Sequence, residues 1–419
     1  MHKISTFKDT LNMKLKELEK IRDEFLVSFP LPKILKDFNE LIELKNKLYR
    51  YIYSDSFKNL KFPVTNVELK NQDWYQTELM YYYARQGLAP SNPLKVIYGI
   101  EKETGNKVSG FFTTCCQSAN WSVLYTIWKG YSIKMFDKPH EAFFETAMIL
   151  RFFNLDKNIT ISNVVHVDSS FEFYEFPSSL SDEQICFVDT TCIHKGNKEL
   201  NEFIIKGLDN GWKVILTRSH LKLDSLGAEY GQLGSITILN EDRFPIPNND
   251  PNFNFIEEQT FKLSLWKVIS THSYFAKIDM IYPFMSSSLI NSLISKKEQR
   301  LINNYETILK ELTKHKIEIV NHKNNIFISF ETQYLSSELS DFMVKKNRYI
   351  TSIREKIGLP IYYSDSFGFD FCTVTAYSVK NKNGVNKIQC RLSIGDLYEA
   401  DLNDSVKLFP SIINKLRNH

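Results

Sequence analysis

The 419-residue chain has little of what marks several protein classes. It carries six cysteines, Cys115, Cys116, Cys186, Cys192, Cys372 and Cys390, with no CxxC pair and no zinc-like spacing. In so long a chain these read as reduced thiols, and no structural disulfide is expected. An excess of one charge is missing as well: 52 Lys and Arg face 49 Asp and Glu, a formal net charge of +3. Binding to phosphate backbones leaves a clustered basic excess that this balance does not show, so neither nucleic acid nor an anionic membrane is an expected partner. No run approaches the roughly 18–20 apolar residues that span a bilayer. The best candidate, Met280 to Ile294, is broken by Pro283 and by Ser286, Ser287 and Ser288. Lys3, Lys8, Asp9, Lys14 and Lys16 leave no apolar stretch near the N-terminus, so a cytoplasmic location without a secretory leader is expected. The nine histidines form no HxxxH or HExxH, and no GxGxxG or GxxxxGK(S/T) occurs. No metal site, dinucleotide site or P-loop is therefore expected.

What is there is an ordinary globular balance, 43% hydrophobic, long enough for two or three cooperating domains with a large core. Leu11, Leu15, Leu18, Ile21 and Phe25, then Leu35, Phe38, Leu41, Leu44 and Leu48, recur at helical spacing on either side of Pro30-Leu31-Pro32. Residues 1–62 thus read as a helical N-terminal layer whose two stripes pack on their own domain. In residues 63–260 the short apolar runs Asn163–Val167, Ile185–Val188, Lys213–Thr217 and Ser235–Leu239 predict parallel strands buried on both faces. Phe244 to Phe255 reads as a loop. Residues 261–320 read as connecting long helices, with Lys296 to Arg300 as a solvated charged face. Residues 321–419 read as a small α+β domain, with strands over Asn325–Phe330, Phe371–Thr375 and Ile388–Ser393, a turn over Lys380–Asn386, and a helix over Asp401–Leu416 broken or kinked at Pro410.

A strand buried on both faces offers only its terminus to a ligand, so the polar residues just past the strands matter most. Asp189 follows Ile185–Val188; Ser219 and Lys222 follow Lys213–Thr217; Thr113, Thr114, Cys115 and Cys116 precede a helix predicted near Ser118. Taken singly, Asp189 is a turn cap, Lys222 a solvent-facing amine, and the two cysteines are packing residues. His166 and Asp168, on one face of a strand end, read as a structural hydrogen bond. Together they say more. A carboxylate on one strand end and a primary amine on the next form the pair that pyridoxal phosphate uses, one for its ring nitrogen and one for its aldehyde. A small helix start with free backbone N–H groups suits its phosphate.

Over residues 80–415 these motifs stand in the order found in the Cys/Met-metabolism family of fold-type I pyridoxal-phosphate enzymes, which the chain resembles. Val188-Asp189-Thr190-Thr191 is similar to that family's Val-Asp-Asn-Thr, Ser219-His220-Leu221-Lys222 to its Ser-x-Thr-Lys, and Arg391-Leu392-Ser393-Ile394-Gly395 to its Arg-Leu-Ser-x-Gly. Ser366-Phe367-Gly368 resembles its Ser-Leu-Gly, Tyr83-Ala84-Arg85 its Tyr-x-Arg, Thr113–Cys116 its Ser-Ser-Gly-Met, and Phe143-Phe144-Glu145-Thr146 its Tyr-Gly-Gly-Thr.

The resemblance implies an α/β fold of the aspartate aminotransferase type, with a mostly parallel central sheet and a small C-terminal α+β domain. It implies pyridoxal 5'-phosphate as cofactor, Lys222 as the Schiff-base lysine and Asp189 on the ring nitrogen. Phosphate and ring contacts would come from Ser219, Thr114, Cys115, Cys116, Thr191 and Phe143, and the substrate carboxylate would be held by Arg391 beside Ser366. Tyr83 and Arg85 would reach into a neighbouring subunit's site, making the protein a homodimer or homotetramer with shared sites. The reaction implied is elimination or replacement at the β- or γ-carbon of a small amino acid.

Three departures bear on the chemistry: Leu221 replaces a hydroxyl residue, Cys115 a glycine, and Phe143 a tyrosine. Phe143 can stack on a ring but has no phenol to protonate a leaving group. Either His140 or Tyr82 supplies that acid, or a halide or sulfonium leaves without one, which points to a specialised substrate. An aminotransferase on the same scaffold and a noncatalytic protein that retains the fold are the alternatives.

Overall fold

A computed structural model describes residues 7–58, 93–102, 104, 107–113, 115–117, 119–120, 123, 164–170, 174–182, 184–227, 233–240, 243–244, 287–364, 366–380 and 385–418. Two helices open it, α1 (Lys8–Glu24) and α2 (Phe38–Lys58), separated by the segment that holds Pro30 and Pro32. Their stripes are buried as the spacing predicts: Leu11, Leu15, Leu18 and Ile21 on α1, and Phe38, Leu41 and Leu48 on α2. There follow β1 (Val108–Thr113), β2 (Val164–Asp168), β3 (Ile185–Asp189), α3 (Lys198–Asp209), β4 (Lys213–Ser219) and β5 (Gly234–Leu239). The C-terminal part comprises α4 (Ser288–Lys314), β6 (Val320–Asn321), β7 (Phe327–Leu335), α5 (Leu339–Ile357), β8 (Ile361–Tyr363), β9 (Cys372–Lys380), β10 (Asn386–Ser393), α6 (Glu399–Ser405) and α7 (Phe409–Asn418).

The central sheet has the order β1-β5-β4-β3-β2, with β2, β3 and β4 parallel. Every residue of β3, β4 and β5 is buried, which is why these strands read as unbroken apolar runs. The run Ser235–Leu239, expected to be parallel, is antiparallel to β4. Burial on both faces fixes the composition of a strand and says nothing of its direction. Because β1 is in turn antiparallel to β5, it points along β4. Four of the five described strands therefore deliver their C-terminal ends to one edge of the sheet, where an open α/β sheet holds its ligand. The expected α/β class is met, with a second sheet, β6-β7-β10-β9-β8, antiparallel except for the β8–β9 pair, forming the C-terminal α+β part. At its end the helix expected over Asp401–Leu416 is interrupted by a 3-10 turn at Val406–Leu408, ahead of Pro410. Pro410 itself sits in the first turn of α7, where a missing N–H costs nothing.

The N-terminal layer packs beyond itself. Helix α1 lies against α2, α4 and α6, and its Lys14, 2% exposed, pairs with Asp396 and lies 3.2 Å from Asp370. The run Lys296–Arg300, expected to be a solvated face, is part of this junction. Lys297 is 2% exposed and 3.3 Å from Asp370, while Arg300 is bidentate on Asp396 at 2.6 and 2.9 Å and reaches Glu17 at 2.9 Å. The reason is periodicity: Ile290, Leu293, Ile294, Lys297 and Leu301 form one stripe of α4, and a lysine falls among its apolar positions. Asp370 thus sits among the ammonium groups of Lys14, Lys45 and Lys297, and burial alone would raise its carboxyl, but these charges hold it well below the usual carboxylate range.

Removing one partner of a buried ionic cluster leaves charges uncompensated, at a cost of about 3–5 kcal/mol. We expect Asp370→Ala to lose stability on that scale in urea unfolding. Glu43→Ala, which breaks the exposed Lys47 pair, should stay within about 0.5 kcal/mol. Equal losses in the two variants would remove the cluster from the architecture's supports.

Candidate active site

The strand register assembles one polar row at the C-terminal edge of the central sheet. Thr113 of β1 and Ser219 of β4 both pair with Gly234, and Asp189 of β3 lies between Asp168 of β2 and Thr217 of β4. A Cβ on Gly234 would stand 2.4 Å from the Cys115 carbonyl carbon and 2.6 Å from the Cys116 nitrogen. Glycine is therefore what lets the Cys115-Cys116 turn lie directly on the start of β5.

Asp189 is 3% exposed, and its hydrogen-bond donors among the described residues are neutral, with the buried Arg218 guanidinium acting on it at longer range. Its Oδ1 accepts the Thr191 amide at 2.8 Å, while Oδ2 accepts the Asn120 carboxamide at 3.2 Å and the Cys116 thiol at 3.6 Å. Asn120 is oriented in turn by Thr217, whose hydroxyl donates to its Oδ1 at 2.6 Å. Burial, and then the charge of Asp189, push the Cys116 thiol well above its ordinary value, so it acts as a neutral donor and not a thiolate. Thr191 joins the two strand ends: its hydroxyl accepts the Ser219 amide at 3.1 Å and meets the Cys116 sulfur at 3.5 Å.

The segment carrying Ser219 and Lys222 is fixed by residues that sequence reasoning missed. Arg218, fully buried on β4, donates Nε and Nη2 to the two oxygens of Asp224 at 2.7 and 2.6 Å. Its Nη1 donates to the Thr190 and Ile193 carbonyls, each at 2.7 Å. Burial alone would raise the Asp224 carboxyl, but the guanidinium holds it far below the carboxylate range. His220 bonds Asp224 through Nδ1 and Ser235 through Nε2, both at 2.8 Å, and burial lowers its pKa despite that carboxylate. The loop past β4 is in this way sewn to the loop past β3, and Lys222 leaves it toward the C-terminal part.

There the Lys222 ammonium donates to Ser366 and lies 5.7 Å from the Phe367 ring centroid. Phe367 stands edge-on to Phe327 at 5.0 Å, and the Arg391 guanidinium lies over the other aromatic contact of that wall, 4.4 Å from the Phe327 centroid. Phe327 and Phe367 form one apolar cluster with Cys192, Leu223, Leu301 and Ile326. The structure therefore brings together Asp189, Thr191, Ser219, Cys115 and Cys116 at the sheet edge, and Lys222, Ser366 and Arg391 along one aromatic wall. Thr114, Phe143, Tyr83 and Arg85, with His140 and Tyr82, lie outside the described residues. Asp168 is bonded to the Ser170 amide and hydroxyl at 2.8 and 2.7 Å, and His166 packs edge-on to Phe187.

No protein-family profile matches the chain, and no curated protein matches it in sequence. Among solved structures it is similar to an O-acetylhomoserine (thiol)-lyase from Campylobacter jejuni that holds a pyridoxyl-lysine, at 13% identity over 74% of this chain and 82% of that one, TM-score 0.41. It is also similar to 8-amino-7-oxononanoate synthase from Francisella tularensis, at 10% identity over 89% and 96%, TM-score 0.45. A third likeness is an aromatic-amino-acid aminotransferase from Burkholderia pseudomallei covalently bound to pyridoxal phosphate, at 11% identity over 86% and 95%, TM-score 0.41. Likenesses this distant fix neither reaction nor ligand, which rest on the chain's own residues.

Beside Arg391, burial and then the guanidinium charge push His322 down to about 3. An unfolded imidazole takes its proton near 6.5 and the folded one refuses it until far lower, so this residue's contribution to stability is lost as pH falls through that window. We expect the urea midpoint to fall between about pH 6.5 and 3, and His322→Gln to fall less over the same span; parallel profiles would contradict the assignment.

Proposed function

We propose that the chain is a pyridoxal-5'-phosphate-dependent enzyme of the fold-type I class, carrying out elimination or replacement at the β- or γ-carbon of a small amino acid with Lys222 as its covalent anchor. The observation that carries this reading is Asp189: a buried carboxylate at the C-terminal edge of the sheet whose hydrogen-bond donors among the described residues are a backbone amide, a carboxamide and a thiol. A carboxylate taken out of water is stabilised by positive charge, and a protonated ring nitrogen at this edge would add to the longer-range charge of Arg218.

The rest of the donor set suits the same ligand. The Cys115-Cys116 turn, pressed onto Gly234, presents backbone N–H groups to a phosphate, beside Ser219 and Thr191. Bound there, the cofactor supplies an aldehyde for the lysine and an electron-withdrawing ring that stabilises negative charge at the substrate α-carbon. Lys222 holds its amine against Ser366, and once displaced from the anchor that amine is the base placed to take the α-proton. Arg391, 6% exposed against Phe327, grips the substrate carboxylate from a desolvated position. The phenylalanine at 143 favours substrates whose leaving group departs without a proton. The Tyr83-Ala84-Arg85 resemblance supports a homodimer or homotetramer with shared sites. No helix among the described residues is long and apolar enough to cross a membrane.

The test is to add pyridoxal phosphate to the purified protein, record the visible spectrum, reduce with borohydride and map the labelled peptide. Label at Lys222, absent in Lys222→Ala, is the expected result; the same label yield in that variant sinks the proposal. Amino acids with β- or γ-leaving groups are then screened for ketoacid and ammonia. Arg391→Ala should weaken substrate binding by about 2–5 kcal/mol, the cost of truncating a desolvated charge pair. An unchanged apparent affinity would place the carboxylate grip elsewhere.

A further inference from the structure

We propose that Lys45, on the N-terminal helix α2, is a positioning residue for Lys222: it clamps together the two loops whose contact holds the Lys222 amine against Ser366. The proposal deepens the reading of Lys222 as a covalent anchor and rests on it. Lys45 is 5% exposed, and its ammonium has one partner on each loop. It donates at 2.5 Å to the Leu226 carbonyl, four residues past Lys222, and it pairs with Asp370, four residues past Ser366.

The two loops touch backbone to backbone at this point. A Cβ on Gly227 would lie 2.5 Å from the Gly368 carbonyl oxygen, and one on Gly368 would lie 3.0 Å from the Lys222 carbonyl carbon. The approach is held in a costly conformation. Leu226 has φ 55°, a left-handed geometry that a leucine resists, and its buried carbonyl would otherwise need another donor. Gly227 and Gly368, at φ 76° and 83°, complete the two turns. A single ammonium that satisfies the strained carbonyl on one side and a buried carboxylate on the other is what keeps such loops in register.

The surroundings separate this role from bulk stability. Around Asp370 and Asp396 the cations Lys14, Lys45, Lys297 and Arg300 outnumber the carboxylates Glu17, Asp370 and Asp396 by one. Burial, and then Lys45 and Lys14 against the pull of Asp370, bring Lys297 down to about 8. Replacing Lys45 by methionine leaves Asp370 paired to Lys14 and Lys297 and balances the cluster, so what is lost is the bridge between Leu226 and Asp370.

The experiment is a double-mutant cycle on the rate at which Lys222 is trapped by pyridoxal phosphate and borohydride, in wild type, Lys45→Met, Ser366→Ala and the double variant. Circular dichroism and urea midpoints check that each is folded. If Lys45 acts through the Lys222–Ser366 contact, each single change slows trapping about tenfold and the double change is little slower than either, the non-additivity of coupled residues. Multiplicative losses near a hundredfold, or a folded Lys45→Met that traps as fast as wild type, overturn the proposal. Should Lys45→Met fail to fold, Lys45→Leu, which likewise removes the donor, runs the same cycle with the same criteria. Label that persists in Lys222→Ala would instead sink the anchor reading, so the two failures are distinguishable.

Discussion

The buried pair of Arg218 and Asp224 is the interaction on which the site depends. A guanidinium and a carboxylate removed from water cost several kcal/mol each unless every donor and acceptor is matched. Here they are matched. Two N–H groups meet the carboxylate in a fork, another serves two backbone carbonyls, and His220 supplies the carboxylate with a further contact. The two carbonyls belong to the loop that follows β3, and the carboxylate to the loop that follows β4. One side chain therefore fixes the spacing between the segment that orients Asp189 and Thr191 and the segment that delivers Ser219 and Lys222. A neutral pair of the same shape could fill the volume but would not set that spacing by directional bonds.

A second constraint acts at right angles to the first. The sheet edge carries the carboxylate, whereas the amine of Lys222 meets its partner on the C-terminal part, across the Gly227–Gly368 contact. Two loops, one past β4 and one ahead of β9, approach closely only if something offsets the loss of hydration of their backbones. The N-terminal helices do this from behind. Lys14 and Lys45 reach Asp370, and Arg300 ties Asp396 to Glu17, so α1, α2 and α4 converge on the two aspartates that flank β9 and β10. The N-terminal layer is in this sense part of the site's support.

Much of the sheet was legible in the amino-acid sequence because strands buried on both faces advertise themselves as apolar runs, and the residue that ends such a run has to lie at the sheet's edge. Asp189, Ser219 and Lys222 were found in that way, and they lie at or just past those strand ends. Direction was not legible: the run from Ser235 to Leu239 looks the same whichever way it points. Arg218 was missed because an arginine ending a strand is ordinarily solvated, and its burial depends on Asp224, six residues on, meeting it through a turn that no local pattern specifies. Lys297 carried a readable signal, its place in the stripe of Ile290, Leu293, Ile294 and Leu301, which the charged neighbours Lys296, Glu298 and Arg300 concealed. The contacts of Ser366 with Lys222 and of Lys45 with Leu226 join residues 144 and 181 positions apart, and no spacing rule reaches that far.

The distribution of charge finally narrows what the site can hold. On the sheet side the Asp189 carboxylate stands beside Asp168, with neutral donors on it and the Arg218–Asp224 pair behind it, and on the C-terminal side stand the ammonium of Lys222 and the guanidinium of Arg391 against an aromatic wall. A ligand of the kind proposed would turn its protonated ring nitrogen to Asp189 and its carboxylate to Arg391, each meeting charge of the opposite sign. The Arg218–Asp224 link on one side and the Gly227–Gly368 approach on the other fix where these groups of opposite sign stand, each on its own loop.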